Sequence, residues 1–136
     1  MKEVVVGIIS KKDKEGRDLY LFVSTNVDFG EYTGFYYLPG GHVENGESEE
    51  SALIRKITGE LRVIVNPIRK VATTVSDVPG EIIHWWLCDH SPPSESIAIK
   101  DPNVTDIAWF SEDEIKQRKD IFPANKPFFQ KYIFKS

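Results

Sequence analysis

The residues best suited to chemistry lie between Leu38 and Val63, in LPGGHVENGESEESALIRKITGELRV. Carboxylates gather there at Glu44, Glu47, Glu49, Glu50 and Glu60, and two cations, Arg55 and Lys56, stand among them. Carboxylates that share a helix face, three or four residues apart, can hold a hard divalent cation through their oxygens. Lys56 stands four residues before Glu60. Its ammonium can therefore pair with that carboxylate, and it would repel a metal ion there. Other chemistries lack their residues. There is no G-x-S-x-G, P-loop or Rossmann fingerprint. His42, His84 and His90 have no metal-ligand spacing, and Cys88, in an apolar run, reads as a buried and inert thiol.

The elements that must position these groups can be read locally. Gly40 and Gly41 follow Pro39, so the backbone turns sharply and a φ above zero is expected there. Ser48 precedes Glu49 and Glu50, which predicts a helix N-cap with acids in the first turn. Leu53, Ile54, Ile57 and Leu61 recur at helical spacing and predict one apolar stripe against a sheet. Strands are expected over 4–9 and 19–23, joined by a charged turn, and 24–34 reads as a loop at a pocket mouth. After the helix, 62–65 starts a strand that Asn66-Pro67 should break early. A hairpin follows, 70–76 and 81–88, turned by Asp77-Val78-Pro79-Gly80. Asp89 to Ser96 reads as a polar loop, 97–99 is too short to assign, and 106–110 is a last strand. Ser111 with Glu114 is a capping box for a second helix, and Pro127 should open a third through 128–133. Strands mixed with few helices and short connections imply a mixed sheet between helices.

Gly41, Glu47, Arg55, Ile57, Glu60 and Val63 also fit, without a gap, the pattern G-x5-E-x7-R-E-U-x-E-E-x-G-U, where U is a bulky aliphatic. The chain therefore resembles the Nudix family. That resemblance covers essentially all of residues 1–136 and implies one α/β domain, an α/β/α sandwich with a central mixed sheet. Family members cleave a nucleoside diphosphate linked to another group, with Mg2+ or Mn2+ held by helix glutamates. Carried over, the resemblance assigns catalysis to Glu60 and Glu47. It assigns metal binding to Glu60, the Gly41 carbonyl and Asp101, and substrate binding to Asn125, Lys56 and Arg55.

The sequence departs from the pattern at Lys56, Gly59 and Arg62, where Glu, Glu and Gly belong. A shifted alignment would make Gly59 the left-handed helix cap, but it leaves the site equally stripped. The favoured alternative for Glu47 is a brace on Arg55, and for Glu44, Glu49 and Glu50 a solvated acidic surface. Asp101, ahead of Pro102, is a turn residue or a ligand. Phe122-Pro123-Ala124-Asn125-Lys126-Pro127 looks like the Phe-Pro-x-Ala-Asn-x-Pro segment of the MutT-like branch, which implies that Asn125 reads a purine edge; the alternative is an N-cap for the last helix. Trp85 and Trp86 should point to opposite faces of their strand, one to the core and the other free to stack on a base.

With 136 residues and 40% hydrophobic content the chain can bury one proper core. Its net charge of −4 argues against a nucleic-acid polymer as partner. No apolar run is long enough for a membrane span, and MKEVVVGIIS reads as a first strand. A single cysteine suits the reducing cytoplasm. The expectation is a MutT-like protein directed at a nucleotide or a nucleoside diphosphate-linked small molecule. Its nominal reaction is NTP to NMP plus pyrophosphate, with Mg2+ or Mn2+ if active and no cofactor otherwise, and hydrolysis weak or lost. The rival expectation is a non-catalytic nucleotide-binding module on the same fold.

Overall fold

The structure, a computed structural model, describes residues 1–91 and 93–134. In chain order its elements are β1 (Lys2–Ile8), β2 (Ser10–Lys12), β3 (Asp18–Thr25), β4 (Gly40–His42), α1 (Glu49–Glu60), β5 (Leu61–Arg62), β6 (Val65–Val75), β7 (Glu81–His90), β8 (Ala98–Ile99), β9 (Val104–Ser111), α2 (Glu112–Gln117) and α3 (Asn125–Phe128). The largest sheet runs β4-β1-β7-β6, a second runs β2-β3-β9, and β5 pairs with β8. β1 lies parallel to β7, whereas β4 and β6 are antiparallel to their neighbours, so the sheet is mixed. Backbone bonds from Leu21 to Ile9 (2.9 Å) and between Val23 and Tyr37 (2.9 Å each way) tie β3 to the segments that follow β1 and precede β4.

Alternation along the strands sorts the core into two layers. Val5, Ile9, Leu21 and Val23 face α1, where Ala52, Leu53 and Ile57, with Leu61 just beyond the helix, are fully buried. Burying each of those large aliphatic side chains contributes roughly 2 kcal/mol. Ile8, Phe22, Trp85 and Phe110 face the other way, onto Ile115 of α2 and Phe128 and Phe129 beyond. The result is the α/β/α sandwich that the resemblance implied. Among the described residues no helix is long and apolar enough to cross a membrane.

Caps form where local chemistry places them. Ser48 Oγ accepts from Ser51 N at 3.1 Å, and the Ser111–Glu114 capping box is closed in both directions. Four local expectations need correction. Ile54 is 40% exposed, because the buried face of α1 rotates onto Ala52 instead. Pro67 does not break its strand: β6 is the last strand of its sheet, and the register shifts between Pro67 and Arg69. An edge position with a bulge is where a residue lacking an N–H is tolerated. β7 continues to His90, so Asp89 and His90 are strand and not loop; Pro92 lies outside the described residues. Finally, α3 starts at Asn125, two residues before Pro127, and passes into a π turn over Phe129–Ile133. The missing N–H of Pro127 still falls in the first turn, where no helical partner is required.

Candidate active site

The glycine turn delivers β4 to the edge of the sheet, where Gly41 opposes Val5 and Gly40 opposes Val6. Gly40 has φ +155°, and a Cβ there would lie 1.9 Å from the Val5 carbonyl oxygen. Only glycine allows β4 to sit this close to β1. At Gly41 a Cβ would lie 2.2 Å from Lys56 Cε, so the aliphatic stem of Lys56 crosses the bare face of Gly41. Gly59 lies within α1 without a positive φ, and nothing stands within 4 Å of where its Cβ would be. The helix then leaves directly into extended backbone at Leu61 (φ −131°, ψ 149°). No left-handed cap is formed, which favours the ungapped alignment and explains why Arg62 is accommodated.

Lys56, Glu60 and Gly41 line one cleft of about 510 Å³ together with Asp101 and Asn125. Glu60 Oε1 is buried and has no hydrogen-bond partner among the described residues. Burial pushes its carboxyl up to about 7, against the opposing pull of the Lys56 charge and the Gly40 amide, and Asp101 adds repulsion. The Asp101 loop is docked onto α1 by two backbone bonds, Lys100 N and Asp101 N to the Glu60 carbonyl (2.9 and 3.1 Å). Its carboxylate Oδ1 accepts from Asn103 N at 2.9 Å, as a turn residue does. Tyr37 donates to Thr25 Oγ1 (3.2 Å); burial first, and then the nearby Glu60 and Asp101 carboxylates, raise its pKa.

Glu47 and Arg55 lie outside this lining. Arg55 Nε and Nη2 donate to the two oxygens of Glu47 at 2.7 and 2.9 Å, and Nη2 also reaches the His42 carbonyl at 3.1 Å. The guanidinium beside Glu47 holds its carboxyl down at about 2. This is the geometry of a brace between loop and helix, with both ends of the pair engaged.

Aromatic rings wall the rest of the cleft. Phe122 meets Phe29 edge to face (5.4 Å between centroids) and Tyr37 likewise (5.3 Å). Trp85 stacks flat on Phe128 at 3.8 Å and donates to Thr74 Oγ1, while Trp86 donates to Glu49 Oε1 at 2.9 Å. Both indoles thus donate within the protein, and the other aromatic rings in the lining are Phe29, Tyr37 and Phe122, of which the sequence did not single out Phe29. Asn125 is 5% exposed and does not cap α3, whose N-cap position is Ala124. Its Nδ2 donates to the Phe122 carbonyl at 3.2 Å. Asp77, read from the sequence only as a turn residue, also lines the cleft.

Whether this site suits a divalent cation can be judged from its donors. Glu60 offers a buried oxygen with no partner among the described residues and Asp101 is its carboxylate neighbour, but Glu47 is held by Arg55 and a lysine stem covers Gly41. On the α1 face itself Glu60 is the one carboxylate, and it stands beside an ammonium, which is not the oxygen cage a hard cation requires, so the donor set does not fit. A second grouping with metal-ligand atoms, Glu3, Glu49 and His84, sits on the α1 side of the sheet. Its atoms already bond one another and their neighbours: Glu3 and Thr73 flank the His84 ring at 2.8 and 3.1 Å, and Trp86 and Lys70 donate to Glu49. It reads as a polar clamp joining β1, β7 and α1.

The state of Glu60 has a consequence for stability. Its pKa in the fold, about 7, lies above the ordinary 4.5. The protonated form therefore supports the fold fully below pH 4.5, and that support is lost as pH rises through 7. The contribution is on the order of 3 kcal/mol. Melting temperature should fall across this window, and Glu60→Gln should remove that part of the slope. Equal slopes in the two proteins would show that Glu60 is not the group responsible.

Comparison with known proteins agrees with the fold. A family model described as NUDIX domain matches residues 1–132. A CTP pyrophosphohydrolase of Escherichia coli (strain K12) is 27% identical over 135 residues, covering 98% of this chain and 92% of the relative. Among solved structures, a C. elegans Ap4A hydrolase binary complex superposes with TM-score 0.76 at 19% identity, covering 96% of this chain and 94% of that one. The NUDIX domain of Shewanella oneidensis NrtR complexed with ADP ribose superposes with TM-score 0.75 at 19% identity, covering 95% and 84%. At these identities the two structures speak for the fold.

Proposed function

This chain belongs to the NUDIX family, and from that premise we propose that residues 1–136 form one nucleotide-directed domain whose hydrolysis of NTP to NMP and pyrophosphate is weak or lost. The observation that carries this reading is Lys56. Its stem lies across Gly41 and its charge faces Glu60, where a family member's chemistry needs several carboxylates. Loss of oxygen ligands around a transferring phosphoryl group costs several kcal/mol of transition-state stabilisation, which is orders of magnitude in rate. Support for a nucleotide as ligand comes from the size of the cleft, its aromatic walls and Asn125, together with the relative whose name specifies CTP. The lone thiol suits the cytoplasm as its location.

What the chain's own groups do follows from their positions. Phe29 and Phe122 present ring faces or edges to a base, and Asn125 presents an amide. Lys56 is the one ammonium in a lining that also holds Glu60, Asp77, Glu81 and Asp101. A phosphate entering there would meet Lys56 directly and otherwise face carboxylates. Lys56 also favours the second reading, a binding module that does not cut.

Thermal shift of the purified chain with CTP and GTP, in magnesium and in excess chelator, tests both readings. A nucleotide present at 100 times its Kd stabilises by about 2.7 kcal/mol. A shift that survives chelator, without pyrophosphate release, supports the binding module. A shift that requires magnesium, with slow release, supports the weakened enzyme. Rapid turnover, or no shift with any nucleotide, overturns the proposal.

A further inference from the structure

We propose that Asp77, acting with Asn125, makes the cleft select nucleobases that carry an exocyclic amino group over those with a carbonyl in its place. This rests on reading the cleft as a nucleotide site. Asp77 belongs to the tight turn between β6 and β7, closed by Ser76 N to the Glu81 carbonyl at 3.1 Å. Its Oδ2 accepts the backbone N–H of Ala124 at 2.8 Å, from a segment 47 residues further along the chain. That bond holds the carboxylate beside the residue that precedes Asn125. No described residue donates to Oδ1 of Asp77, and the residue lines the cleft.

Asn125 is fixed in the same way. Its side-chain Nδ2 and its backbone N both donate to the Phe122 carbonyl, at 3.2 and 3.0 Å. A carbonyl accepts only, so the amide cannot turn its own oxygen toward Phe122. One N–H of the amide and its oxygen are left for a ligand. The aromatic walls, Phe29 and Phe122, are close by in the same lining.

A carboxylate accepts hydrogen bonds and does not donate them. The base edge that meets Asp77 must therefore donate. The amino groups of cytosine, adenine and guanine donate, whereas the O4 of thymine, which uracil shares, accepts. Turning O4 toward Asp77 would set two acceptors face to face and leave the carboxylate without its partner, a loss that a polar site discriminates against steeply. CTP and UTP differ at this edge and share the sugar and phosphates. They form the cleanest pair of probes.

Isothermal titration of the full chain with CTP and UTP, each in magnesium and in chelator, reads the preference directly. CTP is expected to bind at least about 10-fold more tightly than UTP. In Asp77→Asn, the new amide oxygen can keep the Ala124 N–H, and its Nδ2 then points an N–H into the cleft. The CTP preference should shrink to within about threefold or reverse, with UTP binding gained. A gain for UTP cannot come from partial unfolding. Equal affinities in the unmodified protein, or an unchanged preference in Asp77→Asn, overturn the inference and leave the nucleotide reading standing. Failure of the unmodified protein to bind either nucleotide overturns both.

Discussion

The double substitution Lys56→Glu with Gly59→Glu is expected to raise magnesium-dependent pyrophosphate release from nucleoside triphosphates by about 100-fold or more. The expectation rests on where the two side chains would go. Position 59 has open space around its Cβ, so a side chain can leave the helix there without a clash. Position 56 lies beside Glu60 and over Gly41, and exchanging its ammonium for a carboxylate reverses the charge facing the orphaned Glu60 oxygen. Three carboxylates on one turn-spaced face would then resemble the set a hard cation requires. Metal-dependent stabilisation should appear in the same variant, as a melting temperature that rises with magnesium. The two readouts separate the causes of failure. If magnesium stabilises the variant and no pyrophosphate is released, more than the metal set is missing. If neither changes, the reading of positions 56 and 59 is wrong. Gly59→Glu should by itself strengthen the helix by roughly 0.5–1 kcal/mol, so rate must be compared at equal folded fraction.

Gly40→Ala is expected to destabilise the protein by roughly 3 kcal/mol or more, among the larger effects of a single substitution. The added Cβ would lie 1.9 Å from the Val5 carbonyl oxygen and 2.8 Å from Val6 Cα. Those are backbone atoms in the middle of β1, and they cannot move aside without breaking its pairing with β4 or β7. The positive φ adds strain for any L side chain. Gly59→Ala provides the contrast: no close neighbour, no positive φ and a helical position, so a gain of about 0.8–1 kcal/mol. Chemical denaturation of the two variants beside the parent checks this pair. Equal stabilities for both variants would show that β4 can shift to admit a side chain.

The segments that were legible in the sequence are those whose determinants lie within a few residues. The Ser48 and Ser111 caps satisfy N–H groups three residues away. The hairpin turn from Asp77 to Gly80 is closed by its immediate neighbours Ser76 and Glu81, and Gly80 takes the positive φ (+80°) the turn needs. The ungapped motif from Gly41 to Val63 placed the glycine turn, the helix and Glu60 together. It also marked Lys56 and Gly59 as the departures, because identity and spacing are all that such a pattern contains.

Contacts between distant segments were decided by the tertiary structure alone. Ile54 obeys the helical period as well as Leu53 does, yet the rotation of α1 on the sheet exposes it. Pro67 reads as a strand breaker until β6 is known to be an edge. The Asp101 turn reaches the cleft because its backbone bonds to Glu60 at the end of α1, and Asp77 comes beside Asn125 through one bond to Ala124. The amino-acid order by itself determined the fold family, the local caps and turns, and the charge change at the heart of the helix, since each is written in neighbouring residues. Only the folded chain determined which carboxylate is left without a partner among the described residues, which rings wall the cleft and which turn residue lines it, because burial and long-range pairing belong to the whole arrangement and to no short stretch of it.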